Sequence, residues 1–89
     1  MRAIVTVIGK DQVGIIAAVC ALLSEHKVNV LDISQTILQE YFTMIMLVDA
    51  ADSDLPFAEL VKTLEEAGKE RGLAIHAQRE DIFNAMHRI

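Results

Sequence analysis

Residues 9–16 read Gly9-Lys10-Asp11-Gln12-Val13-Gly14-Ile15-Ile16, and they join a run of alternating apolar residues to a run with helical spacing. A strand that ends at Gly9 and a helix that begins near Val13 leave backbone N–H groups free at the positive end of the helix dipole. Such a turn can hold a carboxylate or another anion. Because Gly14 has no Cβ, a ligand or a second backbone can approach closely there. A purely structural interpretation is also open, in which Asp11 caps the helix and Gly14 eases packing.

The segments on either side of this turn predict a strand and a helix. Arg2–Gly9 alternates two largely apolar sets of side chains, which predicts a central strand with both faces covered. Residues 13–27 repeat apolar side chains at helical spacing, and polar residues occur only near the end. Because a helix that lies on a sheet is normally polar on its outer side, we expect the first three turns to contact a partner as well.

The second half of the chain predicts a hairpin, a helix and a fourth strand. Residues 28–39 and 41–48 alternate as strands, and a hairpin turn within residues 38–41 is the simplest connection between them. Pro56 is placed to begin an amphipathic helix, and Gly72 is placed to end it. Residues 73–78 then predict a short strand.

The alternation within these strands also predicts which side chains face the helices. In the third strand, Ile45 and Leu47 are expected to face the helices, with Met44 and Met46 on the opposite face beside a protein partner. In the second strand we expect two sets on opposite faces. One set is Leu31, Ile33 and Ile37, and the other is Val30, Asp32, Ser34 and Thr36.

The element order predicts the fold class. Strand, helix, strand, strand, helix, strand is the order of an α+β ferredoxin-like βαββαβ sandwich, a four-stranded antiparallel sheet with two helices on one face. The tail at about residues 80–88 places Ile82, Met86 and Ile89 on one side, which predicts a short C-terminal helix docked on the domain or across an interface. Residues 1–89 are thus expected to form a single domain with its core at about residues 2–78.

Composition limits the partners. Hydrophobic residues make up 53% of the 89 residues, which is more than a lone small domain needs and predicts a homodimer or a higher even oligomer. A net charge of −5 with few aromatic residues argues against binding to nucleic acid or to an anionic membrane. The single cysteine, Cys20, reads as a buried thiol, and no targeting or membrane-spanning segment is visible, so we expect a cytoplasmic protein.

The residue types that carry catalysis or bind metals are missing from the expected positions. His26, His76 and His87 are far apart, and the first loop has no pair of cysteines, so we expect no metal and no cofactor. Gln12-Val13-Gly14 with Asn29 resembles part of an acylphosphatase phosphate loop. The arginine that such a loop needs is absent, so we expect no catalytic residues and no enzyme activity.

Two motifs together resemble a known family. Gly9, Asp11 and Gly14 in the turn, with Asn29-Val30-Leu31-Asp32-Ile33 after the apolar helix, resemble the ACT domain family over residues 2–77. The resemblance is strongest to small stand-alone bacterial members, and the chain is also similar to the ACT pair of the glycine cleavage system transcriptional repressor. It implies a ferredoxin-like regulatory domain that binds an amino acid or a similar small effector between two copies. Many members carry Arg-Pro where this chain has Gln12-Val13.

The resemblance places the ligand site in the turn and at the start of the second strand, and the residue chemistry agrees. The expected ligand-binding residues are Asp11, Gln12, Val13, Gly14, Ile15, Asn29, Val30 and Leu31. A carboxylate would accept hydrogen bonds from the turn, and an ammonium would bind Asp11 or Asn29. We expect allosteric or protein–protein regulation, with a ligand-free structural dimerisation module and an acylphosphatase-like hydrolase as alternatives. Edge-to-edge and face-to-face dimers both remain open.

Overall fold

The computed structural model describes residues 1–10 and 13–82 of the chain. In chain order the elements are β1 (Arg2–Lys10), α1 (Ile15–Glu25), β2 (Asn29–Leu38), β3 (Tyr41–Asp49), α2 (Phe57–Arg71) and β4 (Ala74–Arg79). This order confirms the predicted one. The backbone is helical at residues 80–82, and the rest of the predicted C-terminal helix, with Met86 and Ile89, lies outside the described residues.

The strands form one antiparallel sheet in the order β2-β3-β1-β4. β1 and β3 are central, as right-handed crossovers require, and β2 and β4 are the edges. The prediction of a ferredoxin-like sandwich is therefore confirmed.

The core lies between one face of the sheet and the two helices. Ile15, Val19 and Leu23 lie on the buried stripe of α1, and Leu60 and Leu64 lie on that of α2. The buried strand residues that they pack against are Ala3, Val5, Val7, Phe42, Met44, Met46, Val48 and Ile75. Each fully buried aliphatic side chain of this kind stabilises the fold by about 1.5–3 kcal/mol.

The predicted faces of β3 are wrong. Met44 and Met46 are 0% exposed and point into the core, whereas Ile45 is 44% exposed on the opposite face. Both alternating sets of this strand are apolar, so hydrophobicity alone does not choose between them, and a shift of one residue exchanges the faces. The polar residues Thr43 and Asp49 alternate with the buried residues and lie on the same side of the strand as Ile45, away from the helices.

A β-bulge in β2 changes the predicted phase of its first residues. Val30 pairs with Val48 and Asp32 pairs with Leu47, so Leu31 is the extra residue between them. Val30 therefore faces the helices, and its predicted placement on the other face is wrong. After the bulge the prediction holds, since Ile33 shares the helix side with its partner Met46.

The predicted burial of β1 on both faces is also wrong for the described chain. Ala3, Val5 and Val7 are buried under the helices, but Ile8 on the other face is exposed, and Ile4 is only half-buried. The two helices lie on one side of the sheet, so the other side has no layer above it among the described elements.

Turn residues fix where the helices begin and end. α1 begins at Ile15 and not at Val13, because Gly14 is the N-cap, with a left-handed φ of 83° and no side-chain cap. α2 begins at Phe57, one residue after the predicted start, because Pro56 is the N-cap. The helix ends at Arg71, and Gly72 is the predicted terminating glycine, with a left-handed φ of 72°. Among the described residues, no helix has the length and apolar character needed to cross a membrane.

Candidate functional site

The first half of the predicted site is the turn between β1 and α1. Val13 is fully exposed and Gly14 is exposed, while Ile15 is buried in the core. A Cβ built on Gly14 would have no atom within 4 Å, so this position is open to a ligand or to a second chain. The first intrahelical bond runs from the Ala18 N–H to the Gly14 carbonyl oxygen at 2.9 Å. Asp11 and Gln12 lie outside the described residues.

The second half of the predicted site is the start of β2. Asn29 is the first residue of the strand, is exposed, and pairs with Asp49 of β3. Leu31, the extra residue of the bulge, is also exposed, whereas Val30 is half-buried against the core. The bulge thus places half-buried Val30 next to exposed Leu31 at the same strand end.

The two halves do not lie together in one chain. The end of β1 is level with the end of β2, because Lys10 and Leu38 both pair with Tyr41. Asn29 lies at the other end of β2, a strand of 10 residues that is about 33 Å long. α1, with 11 residues and a length of about 16 Å, also separates the turn from the start of β2.

β2 is an open edge with apolar side chains on its helix side. Apart from half-buried Val30, every residue of this strand is exposed. Ile33 and Ile37 face the helix layer, yet they are 38% and 55% exposed, since the described helices α1 and α2 do not cover them fully. α1 also exposes Ile16 and Ala17 on its outer side. The sequence predicted a partner for α1, but it did not reveal that β2 lacks cover on its helix side.

A charged cleft of about 500 Å³ lies at the Asn29 end of the sheet. Its two guanidinium groups already have carboxylate partners, with Arg2 at 3.0 Å from Glu80 and Arg79 at 2.7 Å from Asp81. A ligand would have to displace these exposed ion pairs. We therefore do not assign the effector site to this cleft.

Asp49 ties the beginning of the chain to the turn after β3. Its carboxylate accepts a hydrogen bond from the Ala51 N–H at 2.9 Å and an ion pair from the N-terminal ammonium at 3.2 Å. These two contacts, the backbone N–H first, lower the pKa of Asp49 below its ordinary value. The carboxylate therefore stays ionised in mildly acidic solution.

The described histidines lie in unrelated places. His26 Nδ1 is 3.0 Å from Asp54 Oδ1, and the Asp54 N–H donates to the His26 carbonyl oxygen at 3.3 Å, so this pair joins the end of α1 to the loop before α2. His76 is exposed on β4, and His87 lies outside the described residues. Within residues 1–10 and 13–82, no three His, Cys, Asp or Glu side chains are grouped to hold a metal ion.

Comparisons with known proteins agree with this fold. The family model for the ACT domain matches residues 2–78. A UPF0237 protein of Bifidobacterium longum is 57% identical over 88 residues, which is 99% of this chain and 98% of that protein. The structure of an ACT domain protein from Streptococcus pneumoniae, 42% identical, matches with a TM-score of 0.83 over 98% of each chain.

A more distant structure shows the same fold within a longer chain. It is a candidate glycine cleavage system transcriptional repressor, 22% identical, with a TM-score of 0.74 over 86% of this chain and 44% of that one. At this identity the likeness shows the fold alone. The family model, the close relative and the close structure agree, and the chain belongs to the ACT domain family.

Proposed function

We propose that this protein is a regulatory ACT domain that binds an amino acid or a similar small effector between two copies joined edge to edge through β2. ACT domains are generally regulatory domains that bind small ligands. One observation carries the proposal for this chain: the turn after β1 lies at the end of the sheet where the edge strand β2 finishes, and Asn29 lies at the opposite end, where β2 begins.

Antiparallel pairing of β2 with β2 of a second copy brings the halves together. A two-fold axis perpendicular to the sheet places the start of one β2 beside the end of the other. Asn29 of the second copy then lies at the end of the assembly that carries Gly14 of the first. Each dimer gains two equivalent sites, and neither site is complete in a single chain.

The same pairing covers the apolar surface that the single chain leaves open. Ile33 and Ile37 need a layer above them, and the outer side of α1, with Ile16 and Ala17, needs a neighbour. A second copy brings its own α1 to this side of the continuous sheet. The unpaired N–H and C=O groups along β2 also gain partners, which removes an edge that is otherwise prone to aggregation.

The composite site has complementary groups for a zwitterion. Backbone N–H groups at the start of α1 can donate to a carboxylate. The amide oxygen of Asn29 can accept from an ammonium, and the exposed Val13 offers apolar contact to a small side chain. These requirements favour a free amino acid over a neutral or apolar molecule.

Regulation without catalysis is part of this proposal, because the turn lacks the arginine that an acylphosphatase-like phosphate loop needs. Val13, Ile15 and Ile16, which the structure describes, supply no acid, base or nucleophile either. The effector then acts by stabilising the dimer. A protein partner responds if it binds the effector-bound dimer and the free chain with different affinities.

The open edge by itself also favours a second function. Pairing of β2 gives a stable structural dimerisation module even if no ligand enters the site. A thermal-shift screen of the standard amino acids separates the two functions. A rise in melting temperature with one amino acid supports the regulatory proposal, and no rise with any of them leaves the dimerisation module.

Gly14→Ala tests the turn, provided that backbone strain is controlled. The left-handed φ of 83° makes alanine unfavourable there by about 1–2 kcal/mol, so the variant loses stability even without a ligand. Gly72→Ala is the matched control, because Gly72 has a φ of 72° and equally open surroundings. We expect both variants to melt at lower temperature, but only Gly14→Ala to lose the shift caused by the amino acid.

Mixing variants tests whether the site is shared between two copies. Gly14→Ala and Asn29→Ala each damage both sites of their own dimer, and neither should bind the amino acid found in the screen. After subunit exchange in an equal mixture, half of the dimers are mixed and each mixed dimer regains one of its two sites, so titration calorimetry should show binding restored to about a quarter of the wild-type stoichiometry. If the mixture stays inactive while wild type binds, the halves do not belong to one inter-subunit site.

A further inference from the structure

The sheet face opposite the helices forms a second apolar surface, which we call the outer face. Strand pairing arranges its side chains in rows across the sheet. One row is Asp32, Leu47, Ile4 and Gln78, and the next is Ser34, Ile45, Thr6 and His76. In a third row, Ile8 lies between Thr43 and Ala74. Ile33 and Ile37 pair with Met46 and Phe42 on the helix side, so the outer face and the helix side of β2 present largely different side chains.

The rows have the composition of a protein interface. The two central strands supply Ile4, Ile8, Ile45 and Leu47, while the edge strands supply mainly polar side chains such as Asp32, Ser34 and His76. An apolar centre within a polar rim is the usual arrangement at interfaces between subunits. No charged side chain lies among the four central aliphatic residues, and Asp32, the acidic side chain in these rows, lies on the edge strand β2, where it is exposed.

The size of the outer face fits a second copy of the chain. Four strands spaced by about 4.8 Å, with a rise of about 3.4 Å per residue over strands of six to ten residues, give a flat area of roughly 550 Å². Two such faces together remove about 1,100 Å² from water, which passes the threshold of about 1,000 Å² for a specific interface. Two antiparallel sheets pack in this way in β-sandwiches, at a separation of about 10 Å.

We propose that two copies of this chain pack face to face through their outer faces. A hollow of about 140 Å³ lies on the β2 side of this face, lined by Ile4, Ile45 and Leu47 of the central strands and by Asp32, Ile33 and Ser34 of β2. Ile8 and Tyr41 are exposed at the other end of the same face. A two-fold axis across the strands brings that end of one copy over the hollow of the other, which makes the contact self-complementary. Together with the β2 edge, this contact makes a tetramer of two stacked dimers.

Ile45→Lys tests the outer face without disturbing the core. Ile45 is exposed in the single chain, so the lysine side chain can reach water there. In the face-to-face contact the same ammonium group would be buried between two sheets with no opposite charge beside it. Ala58→Lys, at an exposed position on α2, adds the same charge on the helix side and serves as the matched control. Circular dichroism checks that both variants are folded, and sedimentation velocity gives their masses.

The masses distinguish this proposal from the edge-to-edge one. We expect wild type and Ala58→Lys at about four times the 9.9 kDa chain mass, and Ile45→Lys at half of that mass. A wild-type dimer that Ile45→Lys converts to a monomer also supports the outer face and contradicts the β2 edge. A wild-type monomer, or an Ile45→Lys variant with the wild-type mass, overturns the proposal. Either result is also expected if the chain's own tail or another protein covers this face.

Discussion

At the scale of single residues, Asp49 predicts how stability depends on pH. Its contacts with the Ala51 N–H and the N-terminal ammonium lower the pKa in the folded state, so the folded protein prefers the ionised form. Such a group stabilises the fold above its unfolded pKa of about 4, and the contribution is lost as pH falls through the folded pKa. We expect wild type to melt above Asp49→Asn at neutral pH, with a difference that shrinks below about pH 4. Thermal melts of both proteins from neutral to acidic pH measure this.

A difference in melting temperature that grows as the solution is acidified would contradict the role assigned to Asp49. Asp52→Asn, at an exposed loop position, is the control.

Single residues also show where the sequence was a poor guide. Gly14 and Gly72 were predicted as special positions, and both have the left-handed backbone that glycine tolerates best. The faces of β3 were predicted wrongly because Met46 and Ile45 are similarly apolar, and nothing in hydrophobicity separates them. Thr43 and Asp49 lie on the same side of the strand as Ile45, and their polarity indicates that this side is the exposed one. Giving these polar residues more weight than the apolar ones would have assigned the faces of β3 correctly.

At the scale of elements, Ile37 predicts the behaviour of the β2 edge. A lysine there puts a charge on the helix side of an open edge strand, a device by which natural sheets prevent edge pairing. Ile37 is 55% exposed in the single chain, so we expect Ile37→Lys to change monomer stability by less than about 0.5 kcal/mol but to break the edge-to-edge contact. Sedimentation velocity should show half of the wild-type mass. Ala58→Lys is again the control, and an Ile37→Lys protein with unchanged mass would show that β2 is not an interface.

The order of elements was predictable, but their consequences for the site were not. Helical spacing, alternation, Pro56 and Gly72 determine the βαββαβ order with few alternatives, because each signal acts locally. The separation of Val13 from Asn29 depends on sheet order and register, which are long-range properties. The motifs therefore named the residues of the expected site, but they did not reveal that Val13 and Asn29 lie at opposite ends of the sheet in one chain.

At the scale of the whole molecule, the proposed division of the site between two copies couples effector binding to assembly. The amino acid then binds the β2-linked dimer and not the single chain, so by linkage it must strengthen the dimer as much as the dimer strengthens binding. At a ligand concentration of 100 times Kd, each filled site stabilises the dimer by about 2.7 kcal/mol, or roughly a hundredfold in the dissociation constant. For wild type, we expect sedimentation of dilute protein to show dissociation that the amino acid reverses. Ile37→Lys should show neither assembly through β2 nor a ligand-induced rise in melting temperature. This result would be informative because Ile37 is not one of the predicted ligand-binding residues. Ile45→Lys, which changes only the outer face, should keep the full ligand response. An Ile37→Lys monomer that binds the amino acid as tightly as wild type would place the whole site within one chain and remove the physical basis for regulation through the β2 edge.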